Sequence, residues 1–446
     1  MLIQKRRGAY AVNKREPVIG IVGLGYVGLA DALAFSLHGF RVVGVDISKE
    51  RIEAIKAGYV EGFPREAILK SLEGSLELST SYDSLRDAKV VFIAVNTPTN
   101  PNGSQDLSQI ISALNGLAEV WRDNLHDFRV IVLKSTVLPG TTRGLAKHVL
   151  NKLSTVSEHV GFVHCPEFLR SDKPLEDVLK PFRVVIGGID ERSSSIVAEI
   201  FKELYRRIGY DAPIFIVSPE EAEMIKYASN VFLALKTVYG NLVGLVCREI
   251  ENCDALKVMD IVGLDPRIGK SHIMPGMPYG GPCLVKDTSA FGKFVLERTR
   301  IDFVNRISEL NELFIDKMID SLEMALDDLR GKRVAVLGIV FKIGSSDVKD
   351  SPAISLSEKL LAKGAYVYID DINRKALEYA QIILKDVRII NNYEELKSMD
   401  AVLITVGYKE YEQALQHVND DALIFDVTGT LKDNKVLKFY SSAKKT

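Results

Sequence analysis

Cysteine is scarce in this sequence, histidine is scattered, and neither sign of charge dominates. Four cysteines occur in 446 residues, Cys165, Cys247, Cys253 and Cys283, with no CxxC pair and no histidine at zinc-finger spacing. This pattern points away from a disulfide framework and from a structural metal site, so no metal is expected. The seven histidines (His38, His126, His148, His159, His164, His272 and His417) lack ligand spacing, and none is expected as a base or a ligand. A formal net charge of -2 leaves no basic excess for binding nucleic acid. No run approaches the roughly 20 apolar residues needed to span a bilayer, so no membrane partner is expected. The basic opening, with Lys5, Arg6, Arg7, Lys14 and Arg15, has no apolar stretch of about 7 to 15 residues such as a signal peptide requires. It reads as a flexible arm over residues 1–16, and the location as cytoplasmic.

What is present is an ordinary globular composition, 47% hydrophobic and 26% charged. The chain is too long for one core, because single cores stop growing at about 250 to 300 residues, so two or three domains are expected. An apolar, β-branched run at Val18–Val22 leads into Gly23-x-Gly25-x-x-Gly28 and a helical stretch, and a second strand over 41–45 ends at Asp46. That is a βαβ unit. Residues 90–95 and 130–133 read as further buried parallel strands, so the first ~210 residues form a doubly wound α/β domain with ligands beyond the strands' carboxyl ends. Residues 220–251 continue with helical periodicity and no proline, a spine that must bury an apolar side against something, with a second copy as the expected partner. Strand-like runs at 333–337, 366–369 and 401–405 then repeat the α/β theme. The fold class is therefore α/β: two Rossmann-like doubly wound domains joined by a long central helix and a helical dimerisation region.

In the segment Gly23, Leu24, Gly25, Tyr26, Val27, Gly28 the glycines serve a tight turn, close approach of backbone to a pyrophosphate, and packing of helix on strand. Asp46 suits the ribose hydroxyls and repels a 2'-phosphate, which favours NAD. Arg51 is the one neighbour that could accommodate such a phosphate. Gly338 lacks the second and third glycines of the fingerprint, so no second dinucleotide is assigned.

A second cluster places Cys283 just after Gly280, Gly281 and Pro282, with Lys286 and Asp287 three and four residues on. A nearby ammonium favours the thiolate that attacks carbonyls, which makes Cys283 a candidate nucleophile. An isolated cysteine is more often a small buried hydrophobe, and the residues alone leave both readings open. Cys165, Cys247 and Cys253 have no comparable neighbourhood, and core packing is their default.

Eight segments in series, 23–28, Val95-Asn96-Thr97-Pro98, Lys134-Ser135-Thr136-Val137, Pro166-Glu167-Phe168-Leu169, 223–230 (EMIKYASN), 265–269 (DPRIG), 280–287 (GGPCLVKD) and Phe341-Lys342 followed by 347–352 (DVKDSP), resemble the UDP-glucose, GDP-mannose and UDP-N-acetylhexosamine 6-dehydrogenases. The resemblance spans nearly the whole chain. It implies an arm over 1–16, an NAD domain over 17–213, a central helical dimerising region over 214–318 carrying the nucleophile, and a UDP-sugar domain over 319–446. It also implies a four-electron oxidation using two NAD in turn: alcohol to aldehyde, capture as a cysteine thiohemiacetal, thioester, then acid.

By resemblance, Cys283 is the nucleophile and Asp287 the carboxylate that activates water. Lys226 and Asn230, four apart on one helix face, stabilise the oxyanion. Thr136 orients water and Glu167 assists proton transfer or thioester hydrolysis, while Phe168 and Leu169 line the sugar pocket. Tyr279, Gly280, Phe341 and Lys342 fall on the nucleotide-sugar side, and Arg267 reaches it from a partner subunit. Thr97, Thr136, Lys286 and Lys349 fall on the cofactor side with Arg51.

Several positions depart from the family pattern. Ser171 stands where many members carry a second glutamate. Lys349 stands where arginine is usual, keeping the charge and losing the bidentate fork. The segment Asp426-Val427-Thr428-Gly429 lacks a family arginine, and Gly62-Phe63-Pro64 lacks the usual proline-glycine-leucine signature. The lysine in GGPCLVKD favours UDP-glucose as substrate, with GDP-mannose and UDP-N-acetylmannosamine as alternatives. Two other classes remain: a two-electron β-hydroxyacid dehydrogenase, which needs no cysteine beside Lys286 and Asp287, and a non-catalytic nucleotide-sugar sensor.

Overall fold

The computed structural model describes residues 17–100, 103–123, 125–170, 172–429, 431 and 437–440. The expected N-terminal arm and Ser171 lie outside them. Backbone contacts divide the chain into two compact units, one ending at Ala228 and the other beginning at Ser229. The division falls within a single helix, Pro219–Arg248.

The first unit holds an eight-stranded sheet built from β1 (Val18–Val22), β2 (Val42–Val45), β3 (Leu76–Ser79), β4 (Ala88–Ile93), β5 (Arg129–Leu133), β6 (Val160–His164), β7 (Val184–Gly188) and β8 (Ile214–Val217). Their order is β3-β2-β1-β4-β5-β6-β7-β8. Alternate residues of the central strands serve two separate cores. Ile19, Ile21, Val90, Phe92, Val130 and Val132 pack on one face, and Val22, Val91, Ile93, Ile131 and Leu133 on the other. Burial on both faces explains why these strands read as continuous apolar runs rather than alternating ones. The expectation of parallel strands holds with one exception, the antiparallel pairing of β6 with β7. The strand order reverses between β1 and β4, the crevice where doubly wound sheets take ligands.

The second unit begins with helices, among them the remainder of Pro219–Arg248, then Leu284–Thr299 and Phe303–Leu326. It ends in a sheet of β9 (Arg333–Leu337), β10 (Tyr366–Asp370), β11 (Arg388–Ile389), β12 (Ala401–Ile404), β13 (Leu423–Asp426) and β14 (Leu437–Lys438). The order is β11-β10-β9-β12-β13-β14, and every pairing is parallel. The two units thus repeat one architecture, as the resemblance implied.

Two expectations need correction. Cys247 and Cys253, read as separate packing residues, are joined as a disulfide, with Cα atoms 4.9 Å apart. A six-residue spacing carries no motif, but the chain turns back at the end of the long helix and brings the thiols together. The same helix, Pro219–Arg248, is long and apolar enough to cross a bilayer by length and composition, contrary to the reading of the apolar runs. It nevertheless carries Glu223, Lys226, Asn230 and Asn241 as buried polar residues, the pattern of a core helix.

Glu223 is fully buried and accepts the peptide N–H groups of Gly140 (2.6 Å) and Thr142 (2.7 Å). It thereby satisfies the opening of the helix Thr141–Leu153, whose first amides have no partner within the helix. Glu223→Ala would strand both amides, and the first unit's unfolding transition in calorimetry is expected to lose about 1 to 3 kcal/mol. An unchanged transition would show that this carboxylate does not hold the two helices together.

Candidate functional site: a dinucleotide loop and a cysteine-bearing helix start

The loop after β1 turns at Gly23, whose φ is +86°. A Cβ at Gly28 would lie 1.9 Å from the Gly23 carbonyl oxygen, so only glycine lets the helix Tyr26–Ser36 approach its strand. Gly25 begins that helix with open space around it and no side-chain cap. The first amides therefore face outward at the positive end of the helix dipole, a fit for a pyrophosphate. Asp46, at the end of β2, accepts the Leu24 N–H (2.8 Å) on one oxygen and the Ser48 N–H (2.9 Å) on the other. Each oxygen keeps a lone pair for a ribose hydroxyl. Arg51 donates from Nε to the Leu24 carbonyl (2.7 Å), which locks it against the same loop. Tyr26 reaches the Arg170 carbonyl (3.1 Å), and Val27 is half-buried behind it.

At the ends of β4 and β5, the Thr97 hydroxyl donates to the Thr136 carbonyl (3.0 Å), and the Gln105 amide donates to the same oxygen (2.6 Å). Gln105 escaped the sequence reading, because nothing in a loop glutamine announces a partner 31 residues away. After β6, Glu167 accepts Lys226 Nζ (2.7 Å) on one oxygen and the Leu169 N–H (2.6 Å) on the other. Burial works against its charge, but Lys226, the Leu169 amide and Lys134 together hold the carboxyl below the usual range. Phe168 lies between two cations, the Arg183 guanidinium 4.0 Å and Lys226 Nζ 5.5 Å from its ring centre.

In the second unit, Cys283 is exposed at the N-cap of the helix Leu284–Thr299 and has no side-chain cap bond. Its sulfur sits where the helix dipole is positive, the setting that favours a thiolate. Asp287, one turn on, is 1% exposed; it accepts Asn230 Nδ2 (2.6 Å) on one oxygen and Lys286 Nζ (2.5 Å) on the other. Lys226 and Asn230, though one helical turn apart, are thus held by different carboxylates. Gly281, at φ +81°, leaves no room for a side chain against the Phe341 ring, and its N–H donates to the Asp350 carbonyl (3.0 Å). Gly280 fits equally closely on Pro352. The structure therefore brings the glycines before Cys283 together with Phe341 and the DVKDSP segment. Tyr279 is buried, its peptide clamped through both N–H and C=O by the Asn311 amide at 2.9 Å.

Other predicted residues stand apart. Arg267 is 88% exposed and forks onto Asp265. Lys349 is exposed, with its peptide N–H donating to Asp347 (2.8 Å), and Lys342 is half-buried. Asp426, in the segment lacking a family arginine, is fully buried and spends its oxygens on the N–H groups of Thr428, Gly429 and Leu431. Among the described residues no group of three or more His, Cys, Asp or Glu side chains could hold a metal.

The fold and the loop define an NAD-dependent dehydrogenase with a doubly wound cofactor domain. Residues 18–208 match the NAD binding domain of the UDP-glucose/GDP-mannose dehydrogenase family, 220–313 its central domain and 335–433 its UDP binding domain. The chain belongs to that family, its cofactor is NAD, and its substrate is a sugar nucleotide. The UDP-glucose 6-dehydrogenase of Haloferax volcanii is 32% identical, over 88% of this chain and 92% of the relative. The GDP-mannose 6-dehydrogenase of Pseudomonas putida is 34% identical, over 82% of each. The UDP-glucose dehydrogenase structure from Pyrobaculum islandicum superposes with a TM-score of 0.87 at 33% identity, covering 98% of this chain and 100% of that one.

His164 lies fully buried beside this site, with neither ring nitrogen hydrogen-bonded among the described residues. Burial first, then Lys134 and Lys226, push its pKa from 6.5 down to about 3. Below pH 6.5 the unfolded chain takes up a proton that the folded chain refuses, so stability falls with pH down to about 3. The slope is up to about 1.4 kcal/mol per pH unit. His164→Leu is expected to flatten the acid side of the denaturant-midpoint profile by that amount, and an unchanged profile would place the proton elsewhere.

Proposed function

We propose that this protein oxidises the C6 hydroxyl of UDP-glucose to the carboxylate of UDP-glucuronate, a four-electron reaction carried on Cys283. The observation that supports it is an exposed thiol at a helix start, one turn from a buried carboxylate held by Asn230 and Lys286. The Gly23–Gly28 loop, with Asp46 and Arg51 at the ribose, would hold NAD, which would supply the hydride acceptor for each of the two oxidations at C6. Thr97, Thr136, Lys286 and Lys349 are assigned to its surroundings.

The chain's own residues supply the rest. The Cys283 sulfur adds to the C6 aldehyde, forming a C–S bond, and the carbonyl oxygen takes up a proton. Lys226 and Asn230 donate to that oxygen while it carries charge; loss of one such donor typically costs about 3 to 4 kcal/mol. The thiol is needed because a free aldehyde carries no hydroxyl on the carbon to be oxidised, whereas its adduct does. Loss of the second hydride from C6 and of the hydroxyl proton to solvent turns the adduct into a thioester, which water oriented by Thr136 attacks. Asp287 or Glu167 takes its proton, the C–S bond breaks, and the thiol is restored with release of the acid. Glu167, kept anionic by Lys226, suits the base role in this last step.

On the substrate side, Phe168 and Leu169 are assigned to the sugar, and Tyr279, Gly280, Phe341 and Lys342 to the nucleotide diphosphate. UDP-glucose is preferred to GDP-mannose and UDP-N-acetylmannosamine because of the lysine in GGPCLVKD and the UDP-glucose dehydrogenases among the relatives. The region 214–318 is proposed to dimerise. Phe232, Tyr239, Leu242 and Val246 are 45–58% exposed along one stripe of Pro219–Arg248, and Arg267, exposed on the same region while it forks onto Asp265, is assigned to reach a partner's substrate.

The true substrate should yield two NADH per molecule, and Cys283→Ser should lower turnover about a thousand-fold or more. One NADH per sugar, or ordinary turnover in that variant, would indicate a two-electron dehydrogenase; binding without NADH would indicate a sensor. In sedimentation the wild type should run as a dimer and a Tyr239→Asp/Val246→Asp variant as a monomer. A monomeric wild type would remove the dimer from the account.

A further inference from the structure

Behind Glu167 the first unit buries a second ion pair. Asp31, on the inner face of the helix Tyr26–Ser36, is 1% exposed, and neither carboxylate oxygen has a hydrogen-bond partner among the described residues. Its ionic neighbour is Lys134 Nζ at 3.7 Å, an ion-pair distance rather than a hydrogen bond. Lys134 is itself 6% exposed at the end of β5. Asp31, Lys134, Cys165, Glu167, Leu169 and Tyr205 line one cavity of about 40 Å³. Charges therefore alternate through the interior, from Lys226 to Glu167 to Lys134 to Asp31.

A buried ion pair is a poor device for stability, since an apolar pair of similar volume commonly does as well or better. An ammonium beside a working carboxylate, by contrast, decides when that carboxylate takes a proton. The groups facing Glu167 are Lys226 on the long helix, the Leu169 amide, Lys134, and Asp31 more remotely. Of the remaining titratable neighbours, His164 is kept neutral by burial, as is the Cys165 thiol, and burial likewise raises the Tyr205 phenol. Burial works against the charge on both members of the pair and raises the Asp31 carboxyl's pKa against the pull of Lys134, whereas on Lys134 the attraction of Asp31 and Glu167 outweighs it and keeps the ammonium protonated.

We propose that Lys134 and Asp31 are positioning residues for Glu167: Lys134 holds the Glu167 carboxylate anionic in its bond to Lys226, and Asp31 neutralises Lys134 so that Glu167 can still accept a proton in turnover. The proposal rests on the reading of Glu167 as a proton acceptor in thioester hydrolysis.

Two readouts separate the proposal from that reading. The first is the infrared carboxyl titration of Glu167 in the cofactor-free protein, isolated by subtracting Glu167→Gln. The second is the acid limb of the kcat profile. Lys134→Met should move the titration up by about one pH unit, Asp31→Asn should not, and Asp31→Asn/Lys134→Met should return it toward the wild-type value. If Lys134→Met fails to fold, the double variant against Asp31→Asn carries the comparison, with the double expected to titrate higher. A titration that moves while the kcat limb stays upholds the positioning and rejects Glu167 as the proton acceptor. A titration unmoved by removal of Lys134 overturns the proposal, and loss of stability alone would assign the pair a purely structural role.

Discussion

A carboxylate taken out of water must be given donors or a cation, and this requirement organises both units. Asp46 closes the loop after β1 by accepting the Leu24 amide, and Asp371, beyond β10, accepts the amides of Ile339 and Val340 after β9. Glu223 completes a helix start, and Asp426 completes its own turn. Glu167 and Asp287 obey the same rule, but the donors they hold are Lys226 and Asn230, the side chains proposed to stabilise the oxyanion. Removing one partner of such a pair is costly because the other is left buried and uncompensated.

This arrangement also limits what each unit can bind. At the first, Asp46 leaves the amides beyond Leu24 to the helix start at Gly25, where a pyrophosphate fits. At the second, Asp371 takes both amides that follow Gly338, so the equivalent loop is closed by the protein itself. The two carboxylates sit at equivalent places, each accepting the first amide after its loop glycine, and the loops differ in the second amide, which Asp371 also takes and Asp46 leaves to the helix start.

Much of this was legible in the sequence, and the limits have a physical cause. Local periodicity located β1, β9 and the long helix, because strand and helix periods are written in neighbouring residues. The glycine fingerprint was readable because close approach excludes every other side chain at Gly28. What could not be read depends on partners far along the chain: Gln105 on Thr136, Glu223 on the start of Thr141–Leu153, and Asp31 facing Lys134. The antiparallel turn of β7 and the joining of Cys247 to Cys253 likewise follow from how the chain folds back, which no local pattern records. The roles proposed for the residues around Cys283 come from family resemblance, because spacing alone does not separate a nucleophile from a packing thiol.

The most direct test of the chemistry is mass spectrometry of enzyme quenched in acid during turnover of UDP-glucose with NAD. The account predicts that the peptide containing Cys283 carries the added mass of a UDP-glucuronyl group, rising and falling with product formation. Sustained product formation with that peptide unmodified at every time point would contradict it.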